Sequence, residues 1–342
     1  MKAKADIIKS YETLRFLAIS VIFINHYWQG FQWLIMLTTL GVELFFMMSG
    51  FLFYINHHTD RGPIMTLTRH MLCKRLARLY PLCLLTLPFG WKYIEPASPL
   101  GAITDLTLTQ SWFPIDDIYF SGNAALWFVS SLLFCWAVSY PVIRLMKRRP
   151  AISTALGLVY FIAYCMVASV VSEDKFNAII YINPLMQFPA YLTGMILGKL
   201  YLTHYPDTPS NKTATVLTVS ALAVAALFFM MSDTISLRFT IAPYWWFPAA
   251  VLLYTFARVD RSRSVIADLF RIEPLVKLGR YAMAVYIIHL PIIAIYYRAL
   301  LRLGIDSHAP IAIVTCYIIT FSLAVLAEHL IVGPVSRRLC AK

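Results

Sequence analysis

Long apolar runs, rather than alternation, organise this chain. A helix that crosses a bilayer needs about 20 mostly apolar residues. Ten stretches approach that length, at 13–32, 35–56, 75–92, 124–143, 151–171, 179–198, 213–231, 241–257, 281–301 and 310–332. Breakers and charges separate them, such as TDRGP at 59–63 and RRP at 148–150. No internal repeat, low-complexity tract or separate soluble block interrupts the series. Residues 1–342 therefore read as one all-α, polytopic membrane bundle of about ten transmembrane helices. The third stretch is the weakest: it is short, contains Pro81 and Pro88, and begins among Lys74, Arg75 and Arg78.

Charge decides whether that third stretch spans, because basic residues concentrate in cytoplasmic loops. With ten spans and both termini inside, 23 of the 29 Lys and Arg residues fall on the inner side. Five lie on the outer side or at outer span ends, and Arg15 sits within the first span. Removing the third span flips every later loop and abolishes the bias, so the expected topology is N-in and C-in. Segment 93–123 then becomes the largest external loop, aromatic and acidic, with Glu95, Asp105, Asp116 and Asp117. The sequon Asn211-Lys212-Thr213 falls inside, where it is not expected to be glycosylated.

Composition agrees with this picture. The chain is 60% hydrophobic and 13% charged, against roughly half and a quarter in soluble domains. A soluble globular enzyme is excluded. The net charge of +12 reflects basic inner loops, so no nucleic-acid partner is expected. The first apolar stretch lacks a small-residue cleavage site and leads straight into the second, so it is expected to stay as an anchor. None of the six cysteines falls in a CxxC or Cys/His metal spacing. Packed, reduced thiols and no metal are expected.

Ionisable residues within spans usually face the bundle interior or a water-filled cavity. Arg15 and His26, eleven residues apart, fall on one helix face about 16 Å apart along the axis. That face carries an anion binder near the cytoplasm and a base toward the outside. The same pair also fits a snorkelling arginine and a packed histidine. In the second span, GVELFFMMSGF (41–51) places Glu43 about 12 Å from the outer end, at the expected level of His26. The two could pair, the carboxylate orienting the imidazole. Ser49-Gly50 leaves room for a ligand or for close helix approach. Arg75 and Arg78 share one face at the inner surface, placed to clamp phosphates or to anchor at lipid headgroups. His289 lies mid-membrane and Trp127 near a span end. Each is a candidate substrate contact, with packing as the alternative.

Taken in order, these features resemble the acyltransferase 3 family. The resemblance rests on Arg15-x10-His26, the 41–51 segment, Arg75-x-x-Arg78 running into Tyr80-Pro81, and Leu126-Trp127-Phe128-Val129. Leu278-Gly279, Tyr286-Ile287-Ile288-His289-Leu290-Pro291 and Glu328 complete it. Two departures are Phe16, where the family usually has glycine, and a looser segment after Glu328. No separate esterase-like domain, such as some members carry, is expected within residues 1–342. The resemblance implies an integral-membrane O-acyltransferase of the bacterial cytoplasmic (inner) membrane. Its donor would be acetyl-CoA or another short acyl-CoA. Its acceptor would be a surface glycan, such as an O-antigen polysaccharide, or a lipid-linked oligosaccharide. His26 would be the general base with Glu43 beside it. Arg15, Arg75, Arg78, Ser49 and Tyr80 would hold the donor, and Trp127 and His289 would touch substrate. A transporter or flippase of acyl groups or lipid-linked saccharides is the alternative, since buried Arg, His and Glu also suit a transport path.

Overall fold

A computed structural model describes residues 7–28, 30–205, 207–241 and 243–340. Each apolar stretch coincides with a long helix. They are α1 (Lys9–Trp28), α2 (Gln32–His57), α3 (Ile64–Tyr93), α4 (Leu126–Arg148), α5 (Pro150–Val170), α6 (Pro184–Thr203), α7 (Asn211–Met231), α8 (Pro243–Val259), α9 (Ala282–Arg302) and α10 (Pro310–Ala327). Six are long and apolar enough to cross a membrane: α2, α4, α5, α7, α9, and α10 with its continuation. Charged residues set α1 and α3 apart from these, Gln187, Lys199 and two prolines make α6 less apolar, and α8 has only 17 residues. The chain is thus an all-helical membrane protein, with no strand among the described residues. "Inner" and "outer" below follow the charge-based orientation.

α2 forms the centre and packs against α1, α6 and α8. Its crossing with α6 is backbone on backbone. A Cβ on Gly50 would sit 2.0 Å from the Tyr191 carbonyl oxygen, and one on Gly194 would sit 2.0 Å from that of Met47. Small residues permit such approach in membrane bundles, where dispersion contacts replace the hydrophobic effect. α5 and α7 are apolar all round and lie at the periphery, leaving side chains such as Leu158, Met166 and Met230 exposed. A helix apolar on every side is suited to lipid contact. Cys73, Cys83, Cys135, Cys165 and Cys316 are free thiols.

The 93–123 segment is less external than the sequence suggests. After a short helix, Pro99–Thr107, it folds back between α3 and α4. The Tyr80 hydroxyl donates to the Leu106 carbonyl at 2.7 Å. Tyr80 lies 13 residues before the outer end of α3, about 20 Å down the helix. Trp112 packs edge-on to Phe134 at 5.2 Å, and Ser111 donates to the Trp127 carbonyl at 2.8 Å. Irregular backbone at such depth is tolerated only where protein covers it, and Gln110, Ser111, Ser121 and Asn123 are buried. Glu95, Asp116 and Asp117 remain exposed.

Candidate active site

Two cavities enter the bundle from opposite sides. The inner one, about 400 Å³, is lined by Arg15, Ser49, Lys74, Arg75, Arg78, Trp136, Arg280 and Glu328, with an apolar end at Phe45, Leu132 and Ala284. Arg15 donates to Glu12 at 2.8 Å, and Arg78 to Glu328 at 3.2 Å. Glu328 opens a π-helical turn, Glu328–Val332, that continues α10. Arg75 is held by rings: its guanidinium lies 4.3 Å from the Trp136 ring centre and 5.8 Å from that of Phe53. Trp136 is fixed in turn, its indole N–H donating to Ser49 Oγ at 3.0 Å. Ser49 and Gly50 therefore divide the two uses of small residues: the first faces the cavity and the second lets α6 approach.

Arg280 is a cation that the motif reading missed, although it directly follows Leu278-Gly279. The short helix Glu273–Gly279 rests on the first turn of α1, so closely that a Cβ on Gly279 would lie 1.8 Å from the Glu12 carbonyl oxygen. That contact brings Arg280 to the same cavity as Arg15. Trp136 was also missed. The available signal was an indole inside a span, whose N–H needs a partner when buried.

The outer cavity, about 570 Å³, is lined by His26, Thr38, Val42, Trp127, Tyr181 and Tyr286, with Glu95, Asp116 and Asp117 among its more exposed residues. Trp127 and Tyr181 pack together at 4.9 Å. His26 is half-buried at this cavity and pairs with His289, its Nδ1 lying 3.0 Å from His289 Nε2. His289 is fully buried, and its Nδ1 lies 2.6 Å from the Tyr286 carbonyl oxygen. A ring nitrogen facing a carbonyl must carry the hydrogen, which leaves His289 Nε2 as acceptor when the ring is neutral. His26 Nδ1–H then donates to it, and the lone pair of His26 falls on Nε2.

Local sequence holds this pair in place. Pro291 has no N–H for the Ile287 carbonyl one turn back. Asn123, at the end of the re-entrant segment, fills that vacancy with its side-chain amide at 2.7 Å. It also donates to Thr86 of α3 at 3.0 Å. α3, α9 and the segment before α4 are thereby tied together within one turn of His289.

Three expected contacts differ from this arrangement. Glu43 does not pair with His26: its Oε2 accepts from the Trp246 indole N–H of α8 at 2.9 Å. Its carboxyl is fully buried, and Oε1 has no hydrogen-bond partner among the described residues. The direction of Glu43 around α2 is therefore toward α8 and not toward His26. Tyr80 lines neither cavity, because its hydroxyl is committed to Leu106. His289 touches His26 and does not line the outer cavity.

The two cavities share no lining residue. Phe45 and Ala284 end the inner one, and Val42 and Tyr286, on the same two helices, begin the outer. Phe128 fills the interval, 6.2 Å from Phe45 and 5.1 Å from Tyr286 between ring centres. An aromatic partition thus separates the guanidinium groups from the imidazole.

An acyltransferase domain, that of the acyltransferase 3 family, matches residues 8–329. Acyltransferase MdmB of Streptomyces mycarofaciens is 26% identical over 291 residues, covering 78% of this chain and 71% of the relative. No solved structure matches.

Proposed function

This chain belongs to the acyltransferase 3 family, and on that premise we propose that it transfers an acyl group, acetyl in the first instance, from cytoplasmic acyl-CoA to a hydroxyl of a surface or lipid-linked glycan. The membrane is the bacterial cytoplasmic membrane. One observation carries this reading: an imidazole with an available lone pair faces an outer cavity, back to back with an inner cavity lined by four arginines. Polyanionic CoA suits the inner side, and a polyhydroxylated acceptor suits the aromatic and acidic outer side.

In this reading Arg15, Arg75, Arg78 and Arg280 hold donor phosphates. Ser49 and Trp136 line the path of the pantetheine arm. The arm displaces the ring of Phe45 or Phe128 to bring the thioester beneath His26. His26 Nε2 takes the proton of the acceptor hydroxyl as its oxygen attacks the thioester carbonyl. The carbon–oxygen bond forms, the carbon–sulfur bond breaks, and the imidazolium returns the proton to the departing thiolate. His289 is a positioning residue that fixes the tautomer of His26. Trp127, with Tyr181, stacks on the acceptor ring. Glu43 with Trp246 braces α2 against α8, and Tyr80 anchors the re-entrant segment.

The test is purified protein in liposomes, supplied with acetyl-CoA on one side and isolated polysaccharide on the other. Free CoA is expected to form in step with acylated polysaccharide. A transporter would return both reactants chemically unchanged, and that result would refute the enzyme reading. A second prediction isolates His289. His289→Ala is expected to lower the maximal rate about 10- to 100-fold through loss of tautomer control, while the KM for acetyl-CoA changes little. His289→Gln, whose carbonyl oxygen can accept from His26 Nδ1–H, is expected to recover part of the rate. A rise in KM with unchanged maximal rate would instead make His289 a substrate contact.

A further inference from the structure

A second inner cavity, about 710 Å³, adjoins the first, and Lys74 and Arg75 line both. Its other lining residues include Asn56, His57, Asp60, Arg61, His70 and Tyr140. Together with Lys74 and Arg75, Arg61 makes three permanent cations, joined by two histidines, against one carboxylate. That carboxylate is engaged: Asp60 accepts from the Tyr140 hydroxyl at 2.9 Å and lies 2.8 Å from His57 Nδ1.

The loop that carries Arg61 is held from outside the cavity by two further cations of α4. Lys147 donates to the His58 carbonyl at 2.8 Å, and Arg144 donates to that of Gly62. These bonds fix both ends of the loop between α2 and α3 and add positive charge behind it. A cationic, braced chamber opening beside the donor cavity is a site for a second anionic group, separate from whatever the first cavity holds.

Resting on the donor reading above, we propose that this chamber binds the phosphate monoester of the donor nucleotide, the 3′-phosphate of CoA, through Arg61, His70 and Lys74. A monoester carries close to two negative charges near neutral pH and presents three acceptor oxygens. A diphosphate bridge carries less charge per phosphorus. The guanidinium of Arg61 offers a planar fork, and Lys74 offers a mobile point charge between the chambers. The chamber therefore sets the donor class: a nucleotide thioester with a terminal phosphate monoester, in preference to one without it.

The experiment compares binding of CoA and 3′-dephospho-CoA to the full chain in phosphatidylcholine liposomes, which supply no lipid phosphate monoester. Wild type is expected to bind CoA at least about tenfold more tightly, in line with charge-assisted hydrogen bonds. Raising salt should narrow that ratio. Arg61→Ala and Lys74→Gln, both at exposed positions, are expected to bring the ratio toward one. Equal binding of the two nucleotides by wild type overturns this assignment and leaves the donor reading standing. An unchanged ratio in both variants also overturns it. Failure of wild type to bind either nucleotide removes the donor reading and this chamber's role with it. Phosphatidic acid added to the liposomes tests the other source of a monoester. If it displaces CoA while wild type shows no preference between the nucleotides, the chamber is a lipid site and the proposal is wrong.

Discussion

His26→Ala is expected to lower acyl transfer by about 10²- to 10⁴-fold, the usual contribution of a positioned general base. CoA binding should be preserved, because His26 lines the outer cavity and the arginines line the inner one. The substitution removes the one ring nitrogen whose lone pair His289 leaves available. It also leaves His289 Nε2 without its donor, so a small loss of thermal stability should accompany the loss of rate. The measurement is steady-state transfer beside CoA binding on the same preparation. Transfer within about threefold of wild type would remove His26 as the base. Equal loss of binding and rate would point to a collapsed bundle rather than a missing proton acceptor.

Arg75→Ala is expected to weaken CoA binding about 10- to 100-fold, as loss of charge-assisted bonds to phosphate implies. Of the inner arginines, Arg15 and Arg78 each share their charge with a carboxylate, Glu12 and Glu328 respectively. Arg75 rests on Trp136 and Phe53 instead. Those rings orient the guanidinium without neutralising it, which leaves its full charge for an anionic ligand. Arg75→Lys should restore little, since an ammonium neither stacks flat on an indole nor forms a planar fork. Arg78→Ala should cost less, because Glu328 already engages that side chain. Isothermal titration with CoA checks the order. Unaltered binding in Arg75→Ala would show that the ring-held arginine is structural only.

Much of the site was legible along single helices. The eleven-residue interval from Arg15 to His26 fixes both on α1, one at the inner cavity and one at the outer. The three-residue step from Arg75 to Arg78 likewise brings both to one inner cavity. These relations are local, because helical periodicity alone sets them. Contacts between helices were not legible in the same way. Counting residues along α2 suggested Glu43 as a partner for His26, yet it turns toward Trp246, 203 residues away in sequence. Its place along α9 suggested His289 as a substrate contact, yet it completes the imidazole pair.

Apolar run lengths determined the class of this protein: a helical membrane bundle, in which buried cations and imidazoles mark candidate positions for chemistry. Only the tertiary structure decided which of those groups meet. Rotation of each helix about its axis is set by packing against its neighbours, as Gly50 against Tyr191 and Gly279 against Glu12 show. The aromatic partition at Phe128 and the inward fold of 93–123 arise the same way, from contacts between segments far apart in the chain. Hydropathy gives a helix its depth in the membrane; side-chain shape at helix crossings gives it direction.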